Sequence, residues 1–312
     1  MKTILITGGA GFIGYNLVRF YKKKHKVIVI DNLTSKGLKK VNFKNCKNVV
    51  FFKKDLSNFD SFKNHLDNFQ IDKVIHAAAH FANENSIINP SKDLKSNILG
   101  TLNLLEYFKH KKKSKIIYLS SSCIYGDSRL ASENKLYDAN ETPYAISKYC
   151  AEKYIKFYRE YYKLNISIIR VFNTYGPWEQ SHKFRNVIPR FIENALKGKD
   201  LIITGSGNET RDFTYVKDLV ALTSKILNNR KYINLTINSC TGKEIKIKNL
   251  AEKIIRLSNS ISQIKFISKR KWDKINFRKG SIKELKKIIN IENFTKIEKG
   301  LLKTINWYKS NI

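Results

Sequence analysis

The feature that most restricts how this 312-residue chain can fold lies at its start, where the apolar run KTILIT breaks into TGGAGFIG. A short apolar run ending in paired glycines reads as a buried strand. Residues 11–24 then carry Phe12, Ile13, Leu17, Val18, Phe20 and Tyr21 at helical spacing. Strand, glycine turn and helix in that order make a phosphate cradle. Gly8 permits the tight turn, Gly11 lets the backbone approach a pyrophosphate, and Gly14 lets the helix pack close to the strand. The start of the helix, at Phe12 and Ile13, presents free N–H groups to an anion.

Glycine spacing alone is a weak signal, and the next segments give it context. KVIVID reads as a second strand ending on Asp31, about 20 residues beyond the glycines, where a carboxylate accepts hydrogen bonds from an adenosine ribose. A 2′-phosphate would be repelled there, so the cofactor is read as NAD rather than NADP. Asn32 is grouped with Asp31. Asp55 and Leu56, after a third strand NVVFFK, are placed at the adenine edge, although a helix N-cap is the plainer reading of Asp55.

The alternation continues. DKVIHAAA is a fourth strand, and a helix follows Pro90 through Leu94, Ile98, Leu102 and Leu105. SKIIYLSSS is a fifth strand, residues 143–162 a long helix, and NISIIRVFN a sixth strand. Strands alternating with helices predict an α/β fold with a doubly wound parallel sheet of the Rossmann type. Gly176-Pro177 then breaks the chain. A helix at 187–197, the strand LIIT, the turn GSGNET and helices near 246–258 and 296–309 follow. The expected division is a dinucleotide-binding domain over 1–175 and a smaller α/β lobe over 176–312. That lobe would cover the sheet's carboxyl edge, with segments near 212–240 returning to the first domain.

Composition narrows the class. A hydrophobic content of 42% is that of a globular chain. No segment approaches the roughly 20 apolar residues that span a bilayer, and the stretch after Met1-Lys2 is too short for a secretory core, so a cytoplasmic enzyme is expected. Cys46, Cys123, Cys150 and Cys240 are scattered without a CxxC pair, which suggests neither a metal site nor a disulfide framework. Lys+Arg outnumber Asp+Glu 59 to 26, a net charge of +33. A nucleic-acid binder is one reading of that charge. However, the lysines recur at 22–26, 39–54, 109–115, 243–253 and 283–303 among abundant Asn and Ile, as codon bias produces. Either way the charge attracts anions such as a nucleotide diphosphate.

Tyr144 and Lys148 stand at i and i+4, on one face of the long helix. A free phenol, with a pKa near 10, is a poor base at neutral pH. A nearby ammonium, helped by a positive nicotinamide ring, favours the phenolate, which could take a proton from a sugar hydroxyl. The spacing alone is common on helix surfaces. It gains meaning because Ser120-Ser121-Ser122 ends the fifth strand, and Ser121 could hydrogen-bond the same hydroxyl.

TGGAGFIG, SSSCIYG, PYAISK, RVFNTYGP and RDFTYVKDL together resemble the extended short-chain dehydrogenase/reductase family, and within it the sugar-nucleotide epimerase/dehydratase branch, from residue 3 to about 309. The resemblance implies that Gly8, Gly11, Gly14 and Asp31 hold the dinucleotide, with Ala77 and Ala78 near its nicotinamide half. Asn97 would be a structural asparagine counted with the cofactor residues. Ser121, Tyr144 and Lys148 would form the catalytic triad. Ser122, Asn173, Asn186, Val187 and Asp273 would contact the sugar nucleotide, and Arg211 and Arg270 would clamp its diphosphate, a task suited to bidentate guanidinium pairing. Phe277 would narrow the sugar pocket. Homodimerisation through helices near 90–109 and 143–162 is implied, with Leu102, Leu105, Tyr154, Phe157 and Tyr161 on the buried faces.

Two departures bear on the reaction. Dehydratases of the branch carry Asp-Glu just after the catalytic hydroxyl residue, and the related decarboxylases also use a Glu there. This chain has Ser122 and Cys123. Ser281 stands where the family often has Asp. The expected activity is therefore redox-neutral epimerisation of a nucleotide-diphosphate sugar, of the UDP-glucose 4-epimerase kind. A 4-ketosugar reductase, an epimerase at another carbon of a CDP-, GDP- or dTDP-sugar, and a non-catalytic nucleotide- or RNA-binding protein are the alternatives.

Overall fold

Side-chain alternation in the first two strands already dictates a helix–sheet–helix arrangement. In β1 (Thr3–Thr7), Ile4 and Ile6 enter one apolar cluster and Leu5 another. In β2 (Lys26–Asp31), Val27 and Val29 join the first cluster, Ile28 and Ile30 the second. Successive side chains of a strand face opposite ways, and a sheet apolar on both faces must be covered on both. Helix α1 (Phe12–Tyr21) covers one face with Leu17, Val18 and Tyr21. After β3 (Val49–Lys53), α2 (Phe59–Leu66) covers the other with Phe62 and Leu66.

The computed structural model describes residues 1–34, 43, 46–135, 140–182, 184 and 186–311. Part of the lysine run at 39–54 lies outside the described residues. The chain continues through β4 (Lys73–His76), α3 (Asn83–Ile88), α4 (Pro90–Asp93), α5 (Gly100–Phe108), β5 (Lys115–Ser121), β6 (Ser128–Ala131), α6 (Pro143–Tyr161) and β7 (Asn165–Val171). There follow β8 (Asn173–Tyr175), α7 (Val187–Leu196), β9 (Leu201–Thr204), β10 (Thr210–Tyr215), α8 (Val216–Asn228), β11 (Thr236–Ser239), β12 (Glu244–Lys246), α9 (Ile247–Ser258), β13 (Ile264–Ile267), β14 (Arg278–Gly280) and α10 (Ile297–Lys309).

The main sheet has seven strands in the order β11-β7-β5-β4-β1-β2-β3, every pair parallel. Chain order reverses direction between β1 and β4, and a crevice opens at such a switch point beyond the strands' carboxyl ends. Buried His76 braces it. Thr101 Oγ1 donates to the carbonyl of Asn97, so it accepts from His76 Nε2 at 2.9 Å, and His76 Nδ1 accepts from Thr7 Oγ1 at 2.7 Å. Burial pushes His76 down to about 3, so the ring stays neutral.

Helix α8 and the helix after Pro90 are among the elements that depart from the sequence reading. Helix α8 was not read as a helix, because VKDLVALTSKILN follows β10 with no breaking residue between them. It packs Leu219, Leu222 and Ile226 against the face that α1 covers. The helix expected after Pro90 is α4 and α5 joined by a π-helical stretch, Leu94–Leu99. A π turn takes up an extra residue and rotates the face that follows. Leu105 therefore lies in the core and Leu102 packs against it, correcting their expected place on an outer face. Leu94 and Leu99 are exposed instead, as are Ile87, Ile88, Ile146, Tyr154, Phe157 and Tyr161.

The remaining elements build a second apolar centre. Ile188, Phe191 and Ile192 of α7, Leu250 and Ile254 of α9, and Leu301 and Ile305 of α10 meet there with β9 and β10. Three small sheets serve this part: β12-β10-β8, β13-β9 and β14-β6. Among the described residues, no helix is long and apolar enough to cross a membrane.

Candidate active site

A cavity of about 400 Å³ runs along the carboxyl edge of the main sheet and under the second apolar centre. At one end lies the glycine turn. Gly8 has φ +68°, and a Cβ there would sit 2.6 Å from Ala78 Cα. A Cβ on Gly14 would sit 2.1 Å from the carbonyl oxygen of Gly8, so only glycine lets α1 approach this closely. On Gly11 it would meet just that oxygen, at 3.3 Å, leaving its backbone open to the cavity. Among the described residues no side chain caps α1. The N-terminal N–H groups at Phe12 and Ile13 are thus available to an anion.

Asp31 closes this end. Its carboxylate accepts from the backbone N–H of Ala10 at 2.9 Å and of Leu33 at 2.8 Å. Burial raises its pKa, opposed by those bonds. Asn32 donates to Asp55 at 2.9 Å, and Asp55 also accepts from the N–H and hydroxyl of Ser57 at 2.8 Å. Leu56, Ala77 and Ala78 complete the wall. Uncapped helix, open glycine backbone and acidic strand end form a set that fits an NAD dinucleotide.

Midway, α6 delivers the reactive side chains. Thr142 Oγ1 caps the helix by accepting from Ala145 N–H at 3.2 Å, and Pro143 occupies the first turn. That cap places Tyr144 at the helix entrance and Lys148 one turn on, both buried. The Tyr144 phenol lies close enough to Ser121 for its hydroxyl to favour the phenolate. Ser121 Oγ, at the end of β5, also accepts from Cys123 N–H at 3.1 Å. Lys148 Nζ donates to the Leu119 carbonyl at 2.7 Å.

Burial opposes ionisation of both members of the pair. Burial drives the phenol of Tyr144 well above its ordinary value, and Lys148 is not among the groups that lower it. Burial also pushes the ammonium of Lys148 down to about 7, against the pull of Glu152, Asp93 and Cys123. Asn97 also needs correction as a cofactor contact, for it does not line the cavity. It accepts from His80 N–H at 2.8 Å and donates to Asp93 at 2.9 Å and Ser147 Oγ at 3.0 Å. It is a positioning residue that ties the loop after β4 to α6.

The far end is cationic. Ser122, Asn173, Asn186, Val187, Arg211, Arg270 and Asp273 all line the cavity. Arg211 pairs with Asp273 at 3.5 Å and donates to the carbonyls of Thr210 and Ile275 at 2.9 and 3.1 Å. Arg270 lies over the Trp272 ring, 5.5 Å from its centroid, and 4.0 Å from Glu84. Phe277 is not in the lining; its ring sits under Arg129 at the surface. The sequence reading missed Arg190, Arg278, Lys269 and Trp272, which line the cavity. Arg190, a lone charge in the otherwise apolar first turns of α7, was a usable signal. Arg278, in FRKGS, carried none.

A doubly wound sheet with a phosphate cradle, a buried Tyr/Lys/Ser group and a cationic pocket defines a dinucleotide-dependent enzyme acting on an anionic ligand. The chain belongs to the NAD dependent epimerase/dehydratase family, whose model matches residues 4–238. It is 35% identical to a UDP-glucuronate 4-epimerase of Thermodesulfobacterium geofontis, covering 100% of this chain and 98% of that one. It is also 33% identical to a UDP-N-acetyl-alpha-D-glucosaminuronate decarboxylase of Bacillus cytotoxicus, covering 99% and 98%. The structure of an epimerase from Methanothermobacter thermautotrophicus superposes with a TM-score of 0.94 at 34% identity, covering 99% of this chain and 93% of that one.

Proposed function

We propose that this chain epimerises a nucleotide-diphosphate sugar at C4 through a transient 4-keto sugar, with NAD as its resident cofactor. The observation that carries the reading is the position of Tyr144. Its phenol meets Ser121 between the glycine cradle and the arginine-lined end, in a segment whose next residues, Ser122 and Cys123, offer no carboxylic acid.

Gly8, Gly11, Gly14 and Asp31 would hold the dinucleotide, which when bound supplies a reversible hydride acceptor. Ser121 and Tyr144 hydrogen-bond the 4-hydroxyl. Tyr144 Oη takes its proton and later returns it. A phenol raised by burial needs positive charge close by to act this way, which an oxidised nicotinamide ring would supply when bound, with Lys148, one turn along α6, assisting while it is protonated. Arg211 and Arg270 anchor the diphosphate while the flat ketone turns over in the wider sugar end. The lobe over 176–312 would supply most of those anchors. Epimerisation is favoured over dehydration because no acid at 122–123 can protonate a leaving hydroxyl.

Homodimerisation is part of the same reading. Tyr154, Phe157 and Tyr161 on α6, with Leu94 and Leu99 on the neighbouring helix, would be covered by a second copy.

Purified protein should convert UDP-, CDP-, GDP- or dTDP-sugars without added cofactor into a product of unchanged mass and inverted C4, read by mass spectrometry and NMR. A product lighter by water or carbon dioxide, or stoichiometric use of reduced cofactor, overturns the proposal.

A further inference from the structure

The end of the main sheet remote from the cavity gathers cations on one face. In β4, Ile75 belongs to the apolar cluster under α1 and α8, and Val74 to the opposite one. By alternation Lys73 faces α8. In β5, Ile117 and Ile116 divide in the same way, so Lys115 faces α8 too. Lys73 and Lys115 are directly opposite each other in the parallel pair. Lys2 precedes β1, the strand on the other side of β4, and its charge acts on both. Neighbouring strands lie about 4.8 Å apart, so these three lysines begin adjacent strands within roughly 10 Å. Arg230, two residues beyond α8, joins them: after burial, it and Lys2 are what lower Lys115.

Like charges directly opposite on a sheet repel, and little offsets them here. Among the described residues, Lys2, Lys73, Lys115 and Arg230 make no ion pair. Asp72 is the acid that opposes them at Lys73, and its carboxylate also accepts from Thr3 N–H at 2.8 Å. Lys73 is only 5% exposed, and its ammonium donates to the side-chain oxygen of Asn228, a neutral group. Burial first, then Lys2 and Lys115, push that ammonium down; burial, then Lys73 and Lys2, do the same to His25. Asn228 also lines a surface groove with Phe20, Ser224 and Lys225. A ligand in that groove reaches the residue that holds the buried ammonium.

Crowded cations, one of them buried, are costly without an anion. A protein carboxylate brings one charge at a time, whereas a short phosphate chain brings several within a few bonds and relieves the whole group at once. A nucleic-acid strand presents a line of phosphates, and these cations form a patch confined to one end of three strands.

We propose that this end of the sheet binds a compact multivalent phosphate anion, of the pyrophosphate or tripolyphosphate kind, at a site separate from the cavity. The strands that start at the cluster finish at the cavity: β1 runs into Gly8, β4 into Ala77 and β5 into Ser121. The two sites therefore stand at opposite ends of the same strands.

The test is calorimetry of the full chain with tripolyphosphate in about 0.15 M salt, where weak surface attraction is screened. The native chain is compared with Lys115→Gln/Arg230→Gln and with Lys283→Gln/Lys286→Gln, which removes the same charge from exposed lysines elsewhere. One tripolyphosphate per chain is expected. Affinity should fall about tenfold or more in the first variant and change by under about twofold in the second. Tripolyphosphate should also raise the melting temperature of the native chain, and Lys115→Gln/Arg230→Gln should lose that rise. Saturating UDP should leave the affinity unchanged. Absence of saturable binding overturns the proposal, as does equal weakening in both double variants, which would make the attraction one of net charge. Competition by UDP overturns it by placing the anion in the cavity. A single-stranded oligonucleotide that binds the same residues more tightly than tripolyphosphate overturns it in favour of a nucleic-acid surface.

Discussion

The glycine-turn end of the cavity, proposed for the cofactor, is built mainly from backbone, and the arginine-lined end, proposed for the sugar nucleotide, from side chains. In the first, the decisive features are a positive φ at Gly8, missing Cβ atoms at Gly11 and Gly14, and the start of α1. They lie within a few residues of one another. In the second, Arg190, Arg211, Arg270 and Arg278 arrive from α7, β10, the segment after β13, and β14. A diphosphate common to all dinucleotides can be met by fixed N–H groups. A pocket that must distinguish sugars needs side chains that can be exchanged one at a time. Tyr144 and Ser121 stand where the halves meet.

The largest effect is expected at that junction. Tyr144→Phe should lower turnover by about 10³-fold while leaving UDP binding intact, since it removes only the group that moves the proton. Near-normal turnover would remove Tyr144 from the mechanism. Next comes the backbone half. Gly14→Ala forces a Cβ to 2.1 Å from the Gly8 carbonyl and should cost about 3 kcal/mol in urea denaturation. A stability change near zero would show that the close approach is not required.

Two milder substitutions separate the halves by ligand. Asp31→Ala should weaken NAD about 10- to 100-fold and leave UDP affinity unaltered. Arg270→Met should weaken UDP about tenfold and leave NAD unaltered. If each variant lost both ligands equally, the halves would not be separable.

The smallest effect is a pH dependence of stability. Burial holds Lys148 at about 7, below its ordinary 10.5. Below pH 7 the ammonium is charged in both folded and unfolded chains, so the full penalty of burying it is present. Between about 7 and 10.5 the folded chain binds fewer protons, and stability rises with pH. The melting temperature of the native chain relative to Lys148→Met should therefore climb by a few degrees across that window. A flat difference would mean that Lys148 is not held low.

Much of the first half was legible before any coordinates. Glycine spacing, Asp31 and the Tyr144/Lys148 interval are local, and local backbone geometry follows from residue type within a turn or two. The exposed face of α5 was misread because a π turn leaves no mark in apolar periodicity, so Leu102 and Leu105 went to the wrong side. The burial of Tyr144 and Lys148 was not legible for another reason. Spacing brings two side chains to one helix face, but burial sets their charge, and burial depends on strands far away in sequence.

The sequence by itself determined the parallel sheet, the phosphate cradle and the identity of the Ser121/Tyr144/Lys148 group, since each is written in short, contiguous patterns. Only the tertiary structure decided that Asn97 braces rather than binds, that Phe277 lies outside the cavity, and that Arg278 is a buried cation beside Cys123. Those outcomes depend on contacts between segments 17 to 155 residues apart, and no local pattern records which distant segment a side chain will meet.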